Sequence, residues 1–416
     1  MTTLPGCDAP TADLLSVEAA REHIAALVTP VGESETLGLR EALDRVLAAD
    51  VLSPINVPPH TNSAMDGYAI RSGDLPAEGE AQLDVVGTSW AGTPFDGAVN
   101  SGQCVRIMTG ARLPDDTDTV IMQEHVTREG DTIHITAGHQ AGQNVRHPGE
   151  DIQQGKAVLH AGRRVTPADL GVLASLGVPE VPVLRQLRVA FFSSGDELRG
   201  VGEKLEEGQI YDSNRYTLHG MLTRLGVDFT DLGVIRDTPE DVRAAFEKAA
   251  GMGDVVITTG GVSVGDADFI KDTLAQMGEV NFWKLAMKPG KPLAVGRLGE
   301  ALFFGLPGNP VSVMATFYQF VQPALRKMAG ETAHERLTLR VRTMTPLKKH
   351  PGRTDFQRGI LHHDENGELV VRSTGMQGSH VLTSMSLANC FIILPRDSGA
   401  IEAGEMVEVE PFAGMI

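Results

Sequence analysis

The stretch "VVITTGGVSVGDADF", residues 255–269, sets Gly260, Gly261, Ser263, Asp266 and Asp268 directly after an apolar, β-branched run. Bare backbone amides where a strand gives way to a helix suit an anion. The two aspartates would repel one, and either serves equally as the N-cap of the next helix. The turn is neither a GxGxxG fingerprint nor a P-loop, which needs GK[ST]. These residues leave an anion site and a capped turn equally open. A second strand-like run ends in "FFSSGDEL", residues 191–198, carrying Ser194 and Glu197, and Asp237 follows a third. Carboxylates gathered on one sheet edge repel one another unless a cation lies between them. Mg²⁺ fits, because it takes oxygen ligands and bridges to substrate phosphates.

"WKLAMKPGKPLAV", residues 283–295, adds Lys284, Lys288 and Lys291, the last two separated by a stiff Pro-Gly. Lysines in turns usually face solvent. In a chain of net charge −18, a rigid Lys-Pro-Gly-Lys-Pro beside a strand end points instead to an oxyanion site. "GLPGNPVS", residues 305–312, contains Pro307, Asn309 as a candidate cap and Pro310 at the first helical position, which a structural role explains fully. A helix N-terminus directed into a cleft would add a partial positive charge. "NSAMDGYAI" with Asp66 and "RIMTGA" with Thr109 say little alone, Asp66-Gly67 being an ordinary turn signal. No HExxH, GxSxG or zinc-type cysteine spacing occurs, and the 13 histidines are scattered.

The elements that must hold these residues follow from periodicity. A length of 416 residues predicts several domains. Residues 14–53 read as helical, with Ser16 as an N-cap, and "TPADLGVLASLGV" restores the helical texture, so 14–53 and 148–186 form one helical layer, to which the resemblance given below assigns linkage and dimerisation. It is split by 54–147, where short β-like runs alternate with Gly, Asp and Pro turns. Residues 187–330 alternate strand and helix, which predicts a doubly wound, mostly parallel α/β sheet binding its ligand at the strand C-termini. Residues 331–416 read as a β-barrel-like domain. The acidic balance argues against nucleic acid. The absence of an apolar run of about 20 residues argues against a membrane span. Cys7, Cys104 and Cys390, far apart and unpaired in pattern, fit a reducing, cytoplasmic compartment.

Taken in order, "NSAMDGYA", "RIMTGA", "GEDI", "SSGDEL", "TTGGVSVGDAD", "WKLAMKPGKP", "GLPGNPVS" and "GRTDFQRG" resemble the molybdopterin molybdenumtransferase family, to which the E domain of gephyrin also belongs. The resemblance spans nearly the whole chain. It implies an elongated homodimer with shared active clefts that inserts molybdenum from molybdate into adenylylated molybdopterin, with Mg²⁺, releasing AMP. It implies that Ser194, Gly260, Gly261, Ser263, Pro307 and Pro310 lie near the nucleotide and pterin. Glu197 and Asp268 would hold Mg²⁺, with Asp237 nearby. Asp66, Thr109 and Arg146 would reach the cleft from the β insert. Lys288, Lys291, Arg358 and Ser379 would receive molybdate, and Lys284 would support the phosphate or the transition-state charge. The upstream adenylyltransferase and downstream cofactor carriers would be partners. The alternatives are an adenylyltransferase, which needs only residues 187–330, and a non-catalytic scaffold of the same fold.

Overall fold

The computed structural model describes residues 14–260, 268–332 and 336–412. Gly261, Ser263 and Asp266 lie outside the described residues, as does Cys7. The chain forms two compact units: Thr36–Leu43 with Ala49–Val181, and the remainder, including Asp44–Ala48 and everything from Pro182 onward.

The larger unit is built on a six-stranded sheet in the order Asp228–Ile235, Arg188–Ser194, Val255–Thr259, Ala301–Leu306, Pro292–Leu298, Gly278–Lys284. The first four run parallel, and Pro292–Leu298 is antiparallel to both of its neighbours, Ala301–Leu306 and Gly278–Lys284. The central strands are buried on both faces. Phe191, Ile257 and Phe304 pack with Leu218, Leu222, Phe317 and Phe320, whereas Ala190, Phe192, Val256 and Phe303 pack with Val242, Phe246 and Ala249. Strands covered by helices on both sides therefore read as unbroken apolar runs, and strict alternation is absent from them. Each buried Phe contributes about 2 kcal/mol of apolar transfer free energy.

Local signals set the helices. Asp212 accepts a hydrogen bond from the Arg215 amide and caps Ser213–Leu225, which ends at Gly226 with φ 69°. Thr238 caps Pro239–Met252, with proline in the first turn. The long helix opening at Pro310 is α over Pro310–Thr316, π over Phe317–Val321 and α again over Gln322–Met328. The π segment turns Gln319 inward, where its amide oxygen accepts from Arg21 and Arg336 and its nitrogen donates to the buried Glu410.

Helices are fewer than periodicity predicts. Over residues 14–53 only Val17–Leu27 is helical, capped by Ser16 as expected. "REALDRVLAADV" is a series of turns and bridges, because its backbone groups find partners elsewhere. Leu47 bridges Val183, Ala48 donates to the Pro182 carbonyl, and Asp44 sits at φ 60°.

At the N-terminal edge of the sheet, Arg185 donates to both oxygens of Asp254 at 2.7 and 2.8 Å, and the Arg188 amide donates to the same carboxylate at 2.8 Å. These donors hold the Asp254 carboxyl below its ordinary range against the opposing effect of burial. A depressed folded-state pKa supplies stability above the unfolded pKa that is lost as pH falls through the folded one. Asp254→Ala should therefore cost about 1–3 kcal/mol at neutral pH. It should also flatten the acid limb of the stability curve in urea melts between about pH 2 and 5.

The chain from Leu339 onward closes a barrel. Strands Leu339–Thr343, Thr354–His363, Leu369–Ser373, Cys390–Leu394 and Met406–Pro411 pair in a ring, Thr354–His363 meeting Cys390–Leu394 to close it. Val341, Val371, Ile392, Val407 and Val409 fill the interior. The two-residue strand Met287–Lys288 joins it from outside, parallel to Thr354–His363, with Lys288 opposite Asp355.

In the smaller unit, six strands pair in the order Thr119–Met122, Gly67–Ile70, Gln103–Ile107, Glu80–Ser89, Thr132–Thr136, Val126–Glu129. Thr166 and Asp169 make a reciprocal capping box on Pro167–Ser175.

Candidate active site

In the larger unit, a cavity of about 1310 Å³ opens where the parallel strands end and the barrel begins. One wall is acidic. Ser194 ends the strand Arg188–Ser194 and Glu197 lies just beyond it, Asp237 follows Asp228–Ile235, and Gly260 follows Val255–Thr259. Gly260 has φ 86°, and a Cβ there would overlap the Ser194 carbonyl oxygen. Glycine at this point lets two neighbouring strand ends lie side by side. Burial, then Asp196, then Glu197 raise the Asp237 carboxyl above its ordinary range, against a hydrogen bond from Ser194.

The opposite wall is basic. Lys288, Lys291, Lys348, Arg353 and Arg358 line it together with Ser379 and Gln377. The Lys288–Lys291 turn is shaped by Gly290, at φ 103°, whose added Cβ would come within 2.6 Å of the Thr316 hydroxyl. Arg358 is 1% exposed. Its Nε donates to Ser384 at 2.9 Å and Nη2 to the Gly378 carbonyl at 3.1 Å, which fixes the guanidinium. Burial lowers its pKa to about 10, against a smaller upward effect of Asp355, so it is fully charged at neutral pH. Gln377 grips the same strand from the loop above, accepting from the Arg358 amide at 2.8 Å and donating to its carbonyl at 3.1 Å.

A third element meets both walls. Pro307, Gly308, Asn309 and Ser312 line the cavity at the start of the long helix. Asn309, expected as a cap, makes no side-chain hydrogen bond to the helix. Instead the Val311 amide donates to the Ser379 carbonyl at 3.1 Å, so the barrel loop satisfies a helix donor and Asn309 is left to the cavity. Asn214 donates to the Gly308 carbonyl at 2.7 Å and holds the turn.

Of the residues picked from sequence, the cavity gathers Ser194, Glu197, Asp237, Gly260, Lys288, Lys291, Pro307, Arg358 and Ser379. Pro310 falls between the lining residues Asn309 and Ser312 without lining the cavity itself, and Lys284 is exposed at the end of Gly278–Lys284, also outside the lining. Asp268 begins the helix Asp268–Met277, and its side chain lies outside the described residues. Lys348, Arg353, Asp355 and Gln357 were not singled out. Three of them stand in "GRTDFQRG", and period-2 alternation with Arg358 could not mark them, because a short edge strand and a loop also face this cavity.

The smaller unit carries a separate clasp. The Thr109 amide and hydroxyl donate to Asp66 Oδ1 at 2.7 and 2.8 Å, which joins "NSAMDGYA" to "RIMTGA". These two bonds, and then Arg106, lower the Asp66 pKa. Gly67 is required, since a Cβ would collide with the Ile121 carbonyl. Arg146 lies on Val145–Arg146, paired with Asn62.

Among the described residues no three His, Cys, Asp or Glu side chains gather tightly enough to hold a metal. The donor chemistry nonetheless fits Mg²⁺. The acidic wall offers oxygen alone, and a cation would relieve the repulsion that raises Asp237.

Parallel strand ends rich in carboxylates, facing a buried basic wall across one cavity, define an α/β enzyme acting on an anionic substrate. Residues 15–177 match the MoeA N-terminal region (domain I and II), 190–327 a probable molybdopterin binding domain, and 340–412 the MoeA C-terminal region (domain IV). The chain is 47% identical to the molybdopterin molybdenumtransferase of Haemophilus influenzae, over 96% of this chain and 99% of that one. It is 35% identical to that of Bacillus subtilis, over 91% and 90%. A crystal structure of the molybdopterin biosynthesis moeA protein from Pyrococcus horikoshii OT3 superposes with a TM-score of 0.83 at 30% identity, covering 96% of this chain and all of the other. The chain belongs to the molybdopterin molybdenumtransferase family, and it is a transferase. No helix among the described residues is long and apolar enough to cross a membrane.

Proposed function

We propose that the protein transfers molybdenum from molybdate into adenylylated molybdopterin and releases AMP in a Mg²⁺-dependent step. The observation that carries this reading is the single cavity with Glu197 and Asp237 on one wall and Lys288, Lys291 and Arg358 on the other. A substrate joining a pyrophosphate to a site of oxyanion attack needs that pairing of charges.

In this reading Gly260 and Ser194 admit the phosphates through small groups and backbone amides. Glu197 and Asp268 would hold Mg²⁺, with Asp237 beside them. Mg²⁺, when bound, supplies charge neutralisation on the pyrophosphate. Lys288, Lys291, Arg358 and Ser379 hold the oxyanion. Fixed donors that need no reorganisation stabilise charge better than mobile ones, and the Ser384 and Gly378 anchors of Arg358 serve that purpose. Lys284 supports charge as AMP leaves. The dithiolene sulfurs belong to the substrate, so the chain's thiols have no part. Cys104 and Cys390 are buried, with pKa values pushed up to about 12, which suits packing and not nucleophilic work. The protein acts as a homodimer, with Asp66, Thr109 and Arg146 contributing to shared clefts, and it takes substrate from the preceding adenylyltransferase.

Purified protein given adenylylated molybdopterin, Mg²⁺ and molybdate should release AMP, and should release little when either inorganic ion is left out. Glu197→Gln should raise the Mg²⁺ concentration needed for half-maximal release by about tenfold or more. AMP release indifferent to molybdate would sink the reading, and consumption of ATP with unadenylylated molybdopterin would favour an adenylyltransferase instead.

A further inference from the structure

Among the described residues, the basic wall contains one acid. Asp355 is 4% exposed, lines the cavity, and stands directly across the ladder from Lys288. The other carboxylates of the cavity lining, Glu197 and Asp237, belong to the strand ends on the acidic wall. We propose that Asp355 takes up a proton when a tetrahedral dianion enters the basic wall, and that it then serves the anion as a hydrogen-bond donor, tying oxyanion affinity to pH. The inference rests on the reading of that wall as the molybdate site.

The argument is one of competing charge. From the neighbouring strand Lys288 faces Asp355, from the preceding segment Lys349 and Arg353, and from its own strand Arg358. On its other side the ladder partner is Leu394, which brings no charge. Asp397 beyond it acts on Lys349. Gln357 hydrogen-bonds the carboxyl, while its amide nitrogen also donates to the Lys348 carbonyl at 2.9 Å. Lys349 is not available to an anion. It is 5% exposed, and its ammonium donates to the carbonyls of His350, Arg353, Arg396 and Ser398 at 2.9–3.3 Å. It is a fixed background charge.

Even among these cations, burial raises the Asp355 carboxyl above its ordinary range. Burial and the surrounding cations therefore pull this carboxyl in opposite directions, with burial ahead. Molybdate brings two negative charges to Lys288 and Arg358, the same cations that favour the carboxylate. Two like-charged acceptors sharing one set of donors cannot both stay ionised at low cost. The inexpensive response is protonation of Asp355, after which its O–H points a donor at an anion oxygen. An ionised carboxylate at the same place would repel the anion.

Linkage gives the sign. The complex binds one proton more than the free site, so affinity falls as pH rises through the interval between the free and the bound pKa. Molybdate alone, titrated calorimetrically into the protein from about pH 4 to 8, should show its Kd weakening as pH rises above the ordinary carboxylate range, by up to about tenfold per unit. Repeating the titration in two buffers of different ionisation heat should give uptake of about one proton per molybdate. Asp355→Asn keeps a donor and cannot titrate. It should bind with a Kd nearly flat across that interval, and more tightly than the wild type at its upper end. Thermal melts of the variant establish that it is folded, and the two-buffer experiment on the wild type needs no variant. Binding without proton uptake, or a pH slope that survives in Asp355→Asn, overturns the proposal and leaves the molybdate site standing. Failure of the wild type to bind molybdate at any of these pH values overturns the site itself, and the proposal with it.

Discussion

Arg358→Ala should lower molybdate-dependent AMP release by about 10²–10³-fold, the usual cost of removing one fixed charged donor from an oxyanion site. The guanidinium is buried and held at two points, by Ser384 and by the Gly378 carbonyl. No other basic group of the wall has both features. Lys288 and Lys348 are exposed and would bind by charge, and Lys349 is spent on backbone carbonyls. Arg358→Lys separates charge from geometry. It keeps the cation and loses the planar fork, which a lysine cannot reproduce. If orientation matters, the lysine variant should lose molybdate affinity by about tenfold, while its melting temperature falls less than that of the alanine variant. Equal molybdate affinity in wild type and Arg358→Ala would remove the residue from the site.

Gly260→Ala should destabilise the α/β domain by about 2–4 kcal/mol, the sum of a left-handed backbone imposed on an L-residue and a steric overlap. The overlap is with the Ser194 carbonyl oxygen, a backbone atom in a central parallel strand that cannot swing aside. The strain must be released by parting the ends of Arg188–Ser194 and Val255–Thr259, which are paired as far as Ser193 and Thr259. Those ends carry Ser194 and Glu197, so nucleotide and Mg²⁺ affinity should fall together with stability. Urea midpoints for the variant and the wild type measure the first, and AMP binding at saturating and limiting Mg²⁺ measures the second. A variant with an unchanged midpoint would show that the strand ends have more room than the Gly260 geometry permits.

The elements legible in advance were those whose signal is local. Thr238 before Pro239, Thr166 before Pro167 and Gly226 after Leu225 mark helix ends through hydrogen bonds within a few residues. The apolar runs of the central sheet were equally plain, because burial on both faces leaves no polar positions to confuse them. "REALDRVLAADV" misled for the opposite reason. Its composition favours a helix, but bridges to Pro182 and Val183 supply its partners, and residues more than a hundred positions away leave no local mark. Asn309 shows the same limit on a smaller scale. It has a cap's chemistry and a cap's position, yet the Ser379 carbonyl takes the donor from the Val311 amide.

The candidate site divides along the same line. Ser, Gly, Asp and Glu at three strand ends, and the Lys-Pro-Gly-Lys turn, announce themselves because strand-end chemistry is contiguous in sequence. The family follows from the ordered set of such motifs. Which of these residues share a cavity depends on strand order, and on the two-residue strand that attaches Lys288 to the barrel. That pairing places an acid against a lysine 67 positions away in the chain, one of 416 residues. By itself, then, the sequence determined the kinds of chemistry present and the segments that bear them, because propensity, capping and turn geometry act over a few residues. The tertiary structure alone decided that Asp355 stands inside the basic wall, because burial and charge neighbourhood are properties of packed surfaces that no stretch of chain possesses until it meets another.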